Sequence, residues 1–338
     1  MDKKSEIPLI PNYMHSEQLK NVQAVFVIPP KVHLLDITGP AQIFYEAACN
    51  GAPLKLYFST MFRDHTESDS LCALSFNQLT PYHQLKLTEG DFVFVPGFSY
   101  SLMTDNSFLN TARPFLQWLT TQHQNGATIC SVCIGAFLLA ESGLLDLRAC
   151  TTHWEFTEQL KARYPMVKVQ TNRLFVHENR IYSSAGIASG IDLSLYLLEQ
   201  LWGPHFAAKI AKEAVVYFRR TLDDPQLNVF TQYRNHLDHR IHKVQDILIQ
   251  SLDKKFTLEE LATKVNMSPR NLTRQFKKTL GVTIGVYLDQ LRAGQAEKLV
   301  SEGHTMQATA LHCGLRSTNQ LRYLLKRYLP AKHETTMA

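Results

Sequence analysis

Residues 256–329 contain the same local pattern twice, and this repeat constrains the fold more than any other feature of the chain. In the first copy, Ser268 followed by Pro269 has the composition of a helix start, with a capping hydroxyl and a proline at the first helical position. In the second copy, Ser317 takes the place of Ser268, 49 residues later. The sequence therefore predicts two short helix pairs separated by one long helix over about 283–302.

The first pair also has a recognisable beginning. Thr257 and Glu260 have the spacing of a capping box, in which each side chain satisfies a backbone N–H at the helix start. Apolar residues then recur at helical spacing in both pairs, so each helix has one face to bury. The other face of the second helix in each pair is polar and basic. We predict that these faces bind DNA, through Arg270, Asn271, Thr273, Arg274 and Lys277 in the first copy and Thr318, Asn319, Arg322 and Lys326 in the second.

The long helix between the pairs sets their separation. About twenty residues at a rise of 1.5 Å give about 30 Å, close to the roughly 34 Å between major-groove faces one helical turn apart. A helical bundle with solvated basic faces is the alternative for one such pair, since helix pairs are common. Duplication at matched spacing favours DNA recognition in two successive grooves.

Residues 258–262, 268–278 and 313–315 resemble the AraC/XylS family of bacterial transcription regulators. The resemblance implies an all-α, double helix-turn-helix domain that binds double-stranded DNA. The second unit departs from the family pattern, because Tyr323 and Leu325 stand where the family usually has Arg and Phe. The two recognition helices are therefore expected to contribute unequally to base recognition.

Charge is distributed unevenly along the chain. Residues 240–330 carry 15 Lys and Arg against 7 Asp and Glu, a net charge of +8, whereas all 338 residues together carry only +5. The remainder is therefore slightly acidic. Because phosphate neutralisation supplies most non-specific affinity for DNA, the basic end is the predicted polyanion-binding end.

The first two thirds of the chain alternate between strand and helix patterns, which predicts an α/β sandwich. The run 22–28 is continuously apolar, as expected for a strand covered on both faces. The predicted strands are 22–28, 54–59, 71–76, 92–96, 127–132, 167–169, 174–177 and 180–183, and the predicted helices are 39–48, 114–124, 135–141, 155–163, 189–202 and 205–220.

Cys133 lies at the predicted turn between strand 127–132 and helix 135–141, an elbow that exposes a side chain above a sheet. Residues 131–140, 151–154, 34–40 and 184–192 resemble the ThiJ/PfpI domains of the GlxA-type regulators. The resemblance implies a flavodoxin-like sandwich of the class I glutamine-amidotransferase type, joined to the DNA-binding domain and sensing a small-molecule effector.

The elbow supports two interpretations. Protease-like relatives carry a His directly after the Cys, where this chain has Ile134, but isonitrile hydratase pairs its Cys with an acid whose position matches Asp36. A cysteine-dependent hydrolase or hydratase of a small nitrogen compound therefore stays open as the alternative. We favour a non-enzymatic binding pocket for a quaternary amine or an amino acid. Its predicted lining is Asp36, Cys133, Ile134, His153 and Trp154, with Phe98 and Tyr100 as further aromatic candidates.

The predicted organisation is a mobile tail over 1–20, a sensing domain over 21–220, a linker over 221–237 and a DNA-binding domain over 238–330. The six cysteines lack a disulfide or zinc-site spacing, and Cys130 and Cys133 are too far apart along a strand to pair. No apolar run is long enough to span a bilayer. We therefore predict a cytoplasmic protein that needs no metal, no cofactor and no membrane. The resemblance to GlxA-type regulators, together with the affinity gained when linked domains bind two half-sites, implies a homodimer.

Overall fold

A computed structural model describes residues 21–186, 188–216, 220, 226, 233–234, 236–301 and 303–328. The chain separates into two compact units, Met1–Gln226 and Leu227–Ala338, and the division falls inside the predicted linker. The predicted mobile tail over 1–20 and most of the predicted linker lie outside the described residues.

The first unit is organised on a mostly parallel sheet. Its strands are β1 (Val22–Ile28), β2 (Leu54–Thr60), β3 (Ser68–Asp69), β4 (Ser75–Phe76), β5 (Thr80–Pro81), β6 (Phe92–Val95), β7 (Thr128–Val132), β8 (Ala149–Cys150), β9 (Lys168–Val169), β10 (Phe175–Glu178) and β11 (Ile181–Ser184). Seven of them form the main sheet, in the order β10-β11-β7-β6-β1-β2-β5. Every neighbouring pair in it is parallel except β10 and β11 at one edge.

Helices cover both faces of this sheet. They are α1 (Leu34–Cys49), α2 (Asn106–Gln124), α3 (Gly135–Glu141), α4 (Thr157–Arg163), α5 (Ser189–Trp202) and α6 (Pro204–Glu213). Side chains of β1 alternate between the faces, as the pleat requires: Phe26 packs in the core beneath α1, α5 and α6, and Val25 in the core beneath α2 and α3. The predicted flavodoxin-like α/β sandwich is confirmed.

Four predicted elements have wrong bounds. Helix α1 begins at Leu34, five residues before the predicted start at 39. Residues 71–76 form the turn and second strand of a short β3–β4 hairpin, in which Ala73 has φ 58°. Helix α2 begins at Asn106, because the Asp105 side chain accepts a hydrogen bond from the Ser107 N–H and starts the helix early. Helix α6 ends at Glu213 instead of continuing to residue 220, and Val215 beyond it has φ 53° and is 84% exposed.

The second unit is all-helical. It contains α7 (His239–Ile249), α8 (Leu258–Lys264), α9 (Pro269–Leu280), α10 (Ile284–Ser301), α11 (Met306–His312) and α12 (Thr318–Tyr328). Two helix pairs, α8–α9 and α11–α12, flank α10, as the repeat predicts. Tyr287 and Leu291 at one end of α10 join the apolar core of the first pair, whereas Ala296 and Leu299 at the other end join that of the second pair.

Local capping fixes where these helices start. Thr257 and Glu260 form the predicted capping box. Ser268 accepts a hydrogen bond from the Asn271 N–H at 3.3 Å, and Ser317 accepts one from the Gln320 N–H at 3.3 Å, so both copies of the repeat begin in the same way. Within the described ranges, each helix is too short or too polar to cross a lipid bilayer.

Candidate functional site

Cys133 occupies the predicted elbow between β7 and α3. Its φ of 58° lies in the left-handed region, which is strained for a residue with a side chain. Two hydrogen bonds hold the turn: the Cys133 N–H donates to the Ser184 carbonyl at 3.0 Å, and the Thr152 hydroxyl donates to the Cys133 carbonyl at 2.9 Å. The thiol side chain is nevertheless 2% exposed, so the elbow leads into a covered site and not onto an open surface.

Two glycines approach the thiol closely. A Cβ at Gly186, whose φ is +109°, would lie 2.6 Å from Cys133 Cβ and 2.9 Å from its Sγ. A Cβ at Gly97 would lie 2.3 Å from Asp36 Oδ2 and 2.9 Å from Cys133 Cβ. Both positions therefore exclude any larger residue. Gly186 stands in a motif recognised in the sequence, whereas nothing in the sequence around Gly97 signals its role.

Asp36 lies beside Cys133. It belongs to the first turn of α1 and is fully buried, and His33 is the residue at the N-cap position. His33 Nδ1 is 3.4 Å from Asp36 Oδ2. One donor atom from each of His33, Asp36 and Cys133 lies within 4.8 Å of the other two. His33 was not recognised from the sequence, because a single His before a helix carries no pattern.

The environment of Cys133 keeps its thiol protonated. Burial raises the pKa of Cys133 well above its ordinary value, and the negative charge of Asp36 raises it further. The thiolate is the nucleophilic form of cysteine. At neutral pH this site therefore offers a neutral thiol beside the side chain of Asp36.

His153 and Trp154 lie at the start of a short 3-10 turn. His153 Nδ1 accepts a hydrogen bond from the Glu155 N–H at 3.4 Å, and burial lowers the pKa of His153. The rings of His153 and Trp154 are 5.5 Å apart, and Trp154 is 49% exposed. Trp154 is thus a large aromatic surface open to solvent beside buried polar groups.

The remaining predicted lining residues belong to the apolar core or pack against it. Ile134 is 1% exposed and packs in the apolar core beneath α2 and α3. Phe98 is fully buried against Phe108, and Tyr100 packs against Phe137. Phe98 is therefore unavailable as an aromatic face for a ligand, because its ring belongs to the core.

The outer face of α9 carries the first set of predicted DNA-binding residues. Leu272, Phe276 and Leu280 are buried, which orients the helix. Asn271 is half-buried, and its Oδ1 accepts a hydrogen bond from Arg274 Nη2 at 3.1 Å. The exposed residues are Arg270, Thr273, Arg274 and Lys277, together with Lys278.

The outer face of α12 also carries a hydrogen-bonded Asn–Arg pair, but the pair lies at a different position of the repeat than on α9. Its Asn–Arg hydrogen bond joins Arg322 Nη1 to Asn319 Oδ1 at 3.3 Å. The repeat aligns Arg274 with Tyr323, so Arg322 lies one residue before the position that corresponds to Arg274. One residue along a helix is a rotation of about 100° around its axis. Tyr323 is 61% exposed, and its hydroxyl accepts a hydrogen bond from Arg327 at 3.0 Å. Of the other predicted residues, Asn319, Arg322 and Lys326 are exposed and Thr318 is half-buried.

Each of the two units matches a known protein family. Residues 22–200 match the DJ-1/PfpI family, and residues 261–331 match a helix-turn-helix domain family. The HTH-type transcriptional regulator CdhR of Pseudomonas aeruginosa is 31% identical over 68% of this chain and 67% of its own length. The HTH-type transcriptional regulator GlxA of Rhizobium meliloti is 26% identical over 52% of this chain and 54% of its own length. These matches span about half to two thirds of those regulators.

An enzyme is also among the proteins similar to this chain. Isonitrile hydratase of Pseudomonas putida is 26% identical over 54% of this chain and 73% of the enzyme. Among solved structures, a putative transcriptional regulator protein from Vibrio parahaemolyticus superposes with a TM-score of 0.51 and 18% identity, over 57% of this chain and 99% of its own. That likeness confirms the fold. The identity to the hydratase is lower than the identity to CdhR.

The matched segments correspond to the two units of the structure. The predicted resemblance to GlxA-type regulators is therefore confirmed. The chain is a member of the DJ-1/PfpI family that carries a C-terminal AraC-type helix-turn-helix domain, as HTH-type transcriptional regulators do.

Proposed function

We propose that this chain regulates transcription in the cytoplasm by binding operator DNA through α9 and α12 and by sensing a small molecule in the first unit. The observation that carries the DNA-binding part is the outer face of α9. It presents Arg270, Arg274 and Lys277 to solvent, while its apolar face is fixed in a core. Arg recognises guanine through two parallel hydrogen bonds, and exposed Lys neutralises phosphate.

The helix between the two units of the repeat supports simultaneous binding. Helix α10 has 18 residues, which at 1.5 Å per residue makes it about 27 Å long. That length brings the two helix pairs near the spacing of successive major grooves on one face of DNA. The unequal outer faces indicate different roles: α9 would read bases, and α12 would mainly contact the backbone through Arg322.

The sensing part rests on the surroundings of Asp36. The buried side chain of Asp36 lies beside the neutral thiol of Cys133. His153 is close enough to Asp36 for their charges to interact, and the ring of Trp154, half-exposed, lies 5.5 Å from the ring of His153. A carboxylate attracts a cationic group, and an aromatic face attracts a quaternary or primary ammonium. The proposed effector is accordingly a small amine or amino acid. We assign no catalytic residue, because the thiol is held in its unreactive form.

Thermal unfolding of the full chain tests the sensing part. A panel of quaternary amines, amino acids and carboxylates would be screened, since a ligand at a hundred times its dissociation constant adds about 2.7 kcal/mol of stability. A stabilising compound should lose its effect in Trp154→Ala and keep it in Tyr45→Ala, which removes an aromatic residue of similar exposure from α1. Equal loss in both variants would contradict the assignment of the pocket.

The second candidate function is a hydratase or hydrolase acting through Cys133, and the identity to isonitrile hydratase favours it. It requires the thiolate at working pH. Rapid alkylation of Cys133 near neutrality, together with turnover of an isonitrile, would establish this function in place of the binding role.

We further propose that the chain forms a homodimer through its first unit, because linked DNA-binding domains gain affinity by occupying two half-sites. The mass of the full chain in solution, measured by light scattering with and without DNA, tests this. A monomer in both conditions would contradict it.

A further inference from the structure

Three side chains of different ligand types meet at the N-terminus of α1. An imidazole nitrogen of His33, a carboxylate oxygen of Asp36 and the sulfur of Cys133 lie within 4.8 Å of one another. We propose that this His33–Asp36–Cys133 cluster binds a divalent transition-metal ion, foremost Zn²⁺. The inference rests on the proposed sensing function in one respect, because it names a ligand class for the same pocket.

The distances fit a tetrahedral ion after a small adjustment. Zinc lies about 2.3 Å from sulfur and about 2.0–2.2 Å from nitrogen or oxygen, so two of its ligand atoms are about 3.3–3.6 Å apart. His33 Nδ1 and Asp36 Oδ2 are already 3.4 Å apart. Since no pair in the cluster exceeds 4.8 Å, closure requires a movement of about 1 Å. The side chain of His33, 34% exposed, has room for that rotation.

The donor set selects the class of ion. Imidazole and thiolate suit Zn²⁺ and copper, whereas Mg²⁺ and Ca²⁺ prefer sites built entirely from oxygen ligands. Asp36 is fully buried and Cys133 is 2% exposed. Burying negative charge is costly unless it is compensated. A dication would balance the carboxylate of Asp36 and a thiolate of Cys133 at once.

Binding replaces the proton of the thiol with the metal. The S–H bond of Cys133 breaks, a metal–sulfur bond forms, and the proton passes to solvent. No oxidant or reductant takes part. Because a proton competes with the ion for sulfur, affinity should rise with pH over the range in which the thiol is otherwise protonated.

Three protein ligands leave the fourth position of a tetrahedral ion open. His153 lies close enough to Asp36 and His33 to interact with them electrostatically, and Trp154 is adjacent to His153. The open position is therefore expected to face these two residues. Water would occupy it, or the amine or carboxylate of an effector would bind the ion there.

Cobalt titration of the full chain tests the proposal, because Co²⁺ replaces Zn²⁺ and absorbs strongly in the near ultraviolet when it is bound to a thiolate. The exposed Cys49 and Cys72 would be replaced by Ala in every variant, so that they contribute no absorption. One equivalent of Co²⁺ should produce the absorption, and Zn²⁺ should abolish it. Cys133→Ser should lose it, and His33→Ala should bind Co²⁺ at least about tenfold more weakly.

Cys130→Ser is the matched control. Cys130 is buried on β7, the strand that leads to Cys133, but it packs in the core on the opposite face of the sheet. It should therefore keep the cobalt absorption unchanged, with thermal unfolding as the check that each variant folds. Absorption that survives in Cys133→Ser, or an absence of cobalt binding to the parent chain, would overturn the proposal.

The metal site and the proposed function are refuted by different results. If small amines stabilise the chain while Co²⁺ does not bind, the metal site is wrong and the sensing function stands. If Co²⁺ binds at Cys133 while the chain shows no sequence-specific DNA binding, the metal site stands and the regulatory function is wrong.

Discussion

Replacing Arg274 by Ala tests whether α9 reads bases. Arg274 is exposed in the middle of the helix, and its hydrogen bond to Asn271 at 3.1 Å holds the guanidinium on the outer face. A bidentate contact between Arg and guanine contributes about 1–3 kcal/mol of discrimination, which corresponds to a loss of about 5- to 150-fold in operator affinity. Affinity for scrambled DNA should change little, because the other basic residues still neutralise phosphate.

Arg322→Ala provides the comparison on α12. The repeat aligns Arg322 with Thr273, so its side chain projects from a different part of the helix than Arg274 does. We expect Arg322→Ala to weaken binding evenly across sequences and to reduce the slope of log affinity against log salt by about one phosphate contact. Arg274→Lys keeps the charge and loses the paired hydrogen bonds, so it should resemble Arg274→Ala on the operator.

Fluorescence anisotropy of labelled operator and scrambled duplexes, at several salt concentrations, measures all three variants. Circular dichroism would confirm that each variant keeps its helices. If Arg322→Ala relaxes base preference as much as Arg274→Ala does, the inferred inequality between α9 and α12 is refuted.

Three further predictions concern stability and reactivity. Gly186→Ala should lower the free energy of unfolding, measured by denaturant titration, by about 1–3 kcal/mol, because the new Cβ would lie 2.6 Å from Cys133 Cβ at a φ of +109°. An unchanged unfolding midpoint would contradict the close approach. Thr257→Ala should cost about 1 kcal/mol by removing the capping box, and an equal cost for the exposed Thr263→Ala would show that the cap is not the cause. Iodoacetamide should label Cys133 slowly at neutral pH and faster only in alkali, because burial and Asp36 raise its thiol pKa; rapid neutral labelling would contradict this.

Features set by local chemistry could be predicted from the sequence. The capping residues Thr257, Ser268 and Ser317 start their helices as predicted, because a cap acts within one turn of itself. The apolar run of β1 identifies a buried strand, and the elbow at Cys133 follows from a strand directly preceding a helix. These features determined the α/β class and the helix-turn-helix repeat.

Features that depend on distant residues could not be predicted. His33 and Gly97 contact the elbow only because β1 and β6 lie beside β7 or one strand away in the sheet. Ile134 was predicted to line the pocket from its place next to Cys133, and in the structure both residues belong to the same apolar core. Sequence proximity identified the elbow, and the folded chain determined which side chains surround it.

Selection of duplexes from a random DNA library by the full chain tests the central claim most directly. We expect enriched sequences that share a motif, with its two contacted segments about one helical turn apart, and we expect Arg274→Ala to lose that enrichment. Retention of DNA without any shared motif, or enrichment that Arg274→Ala leaves unchanged, would contradict the claim that this chain recognises an operator through α9.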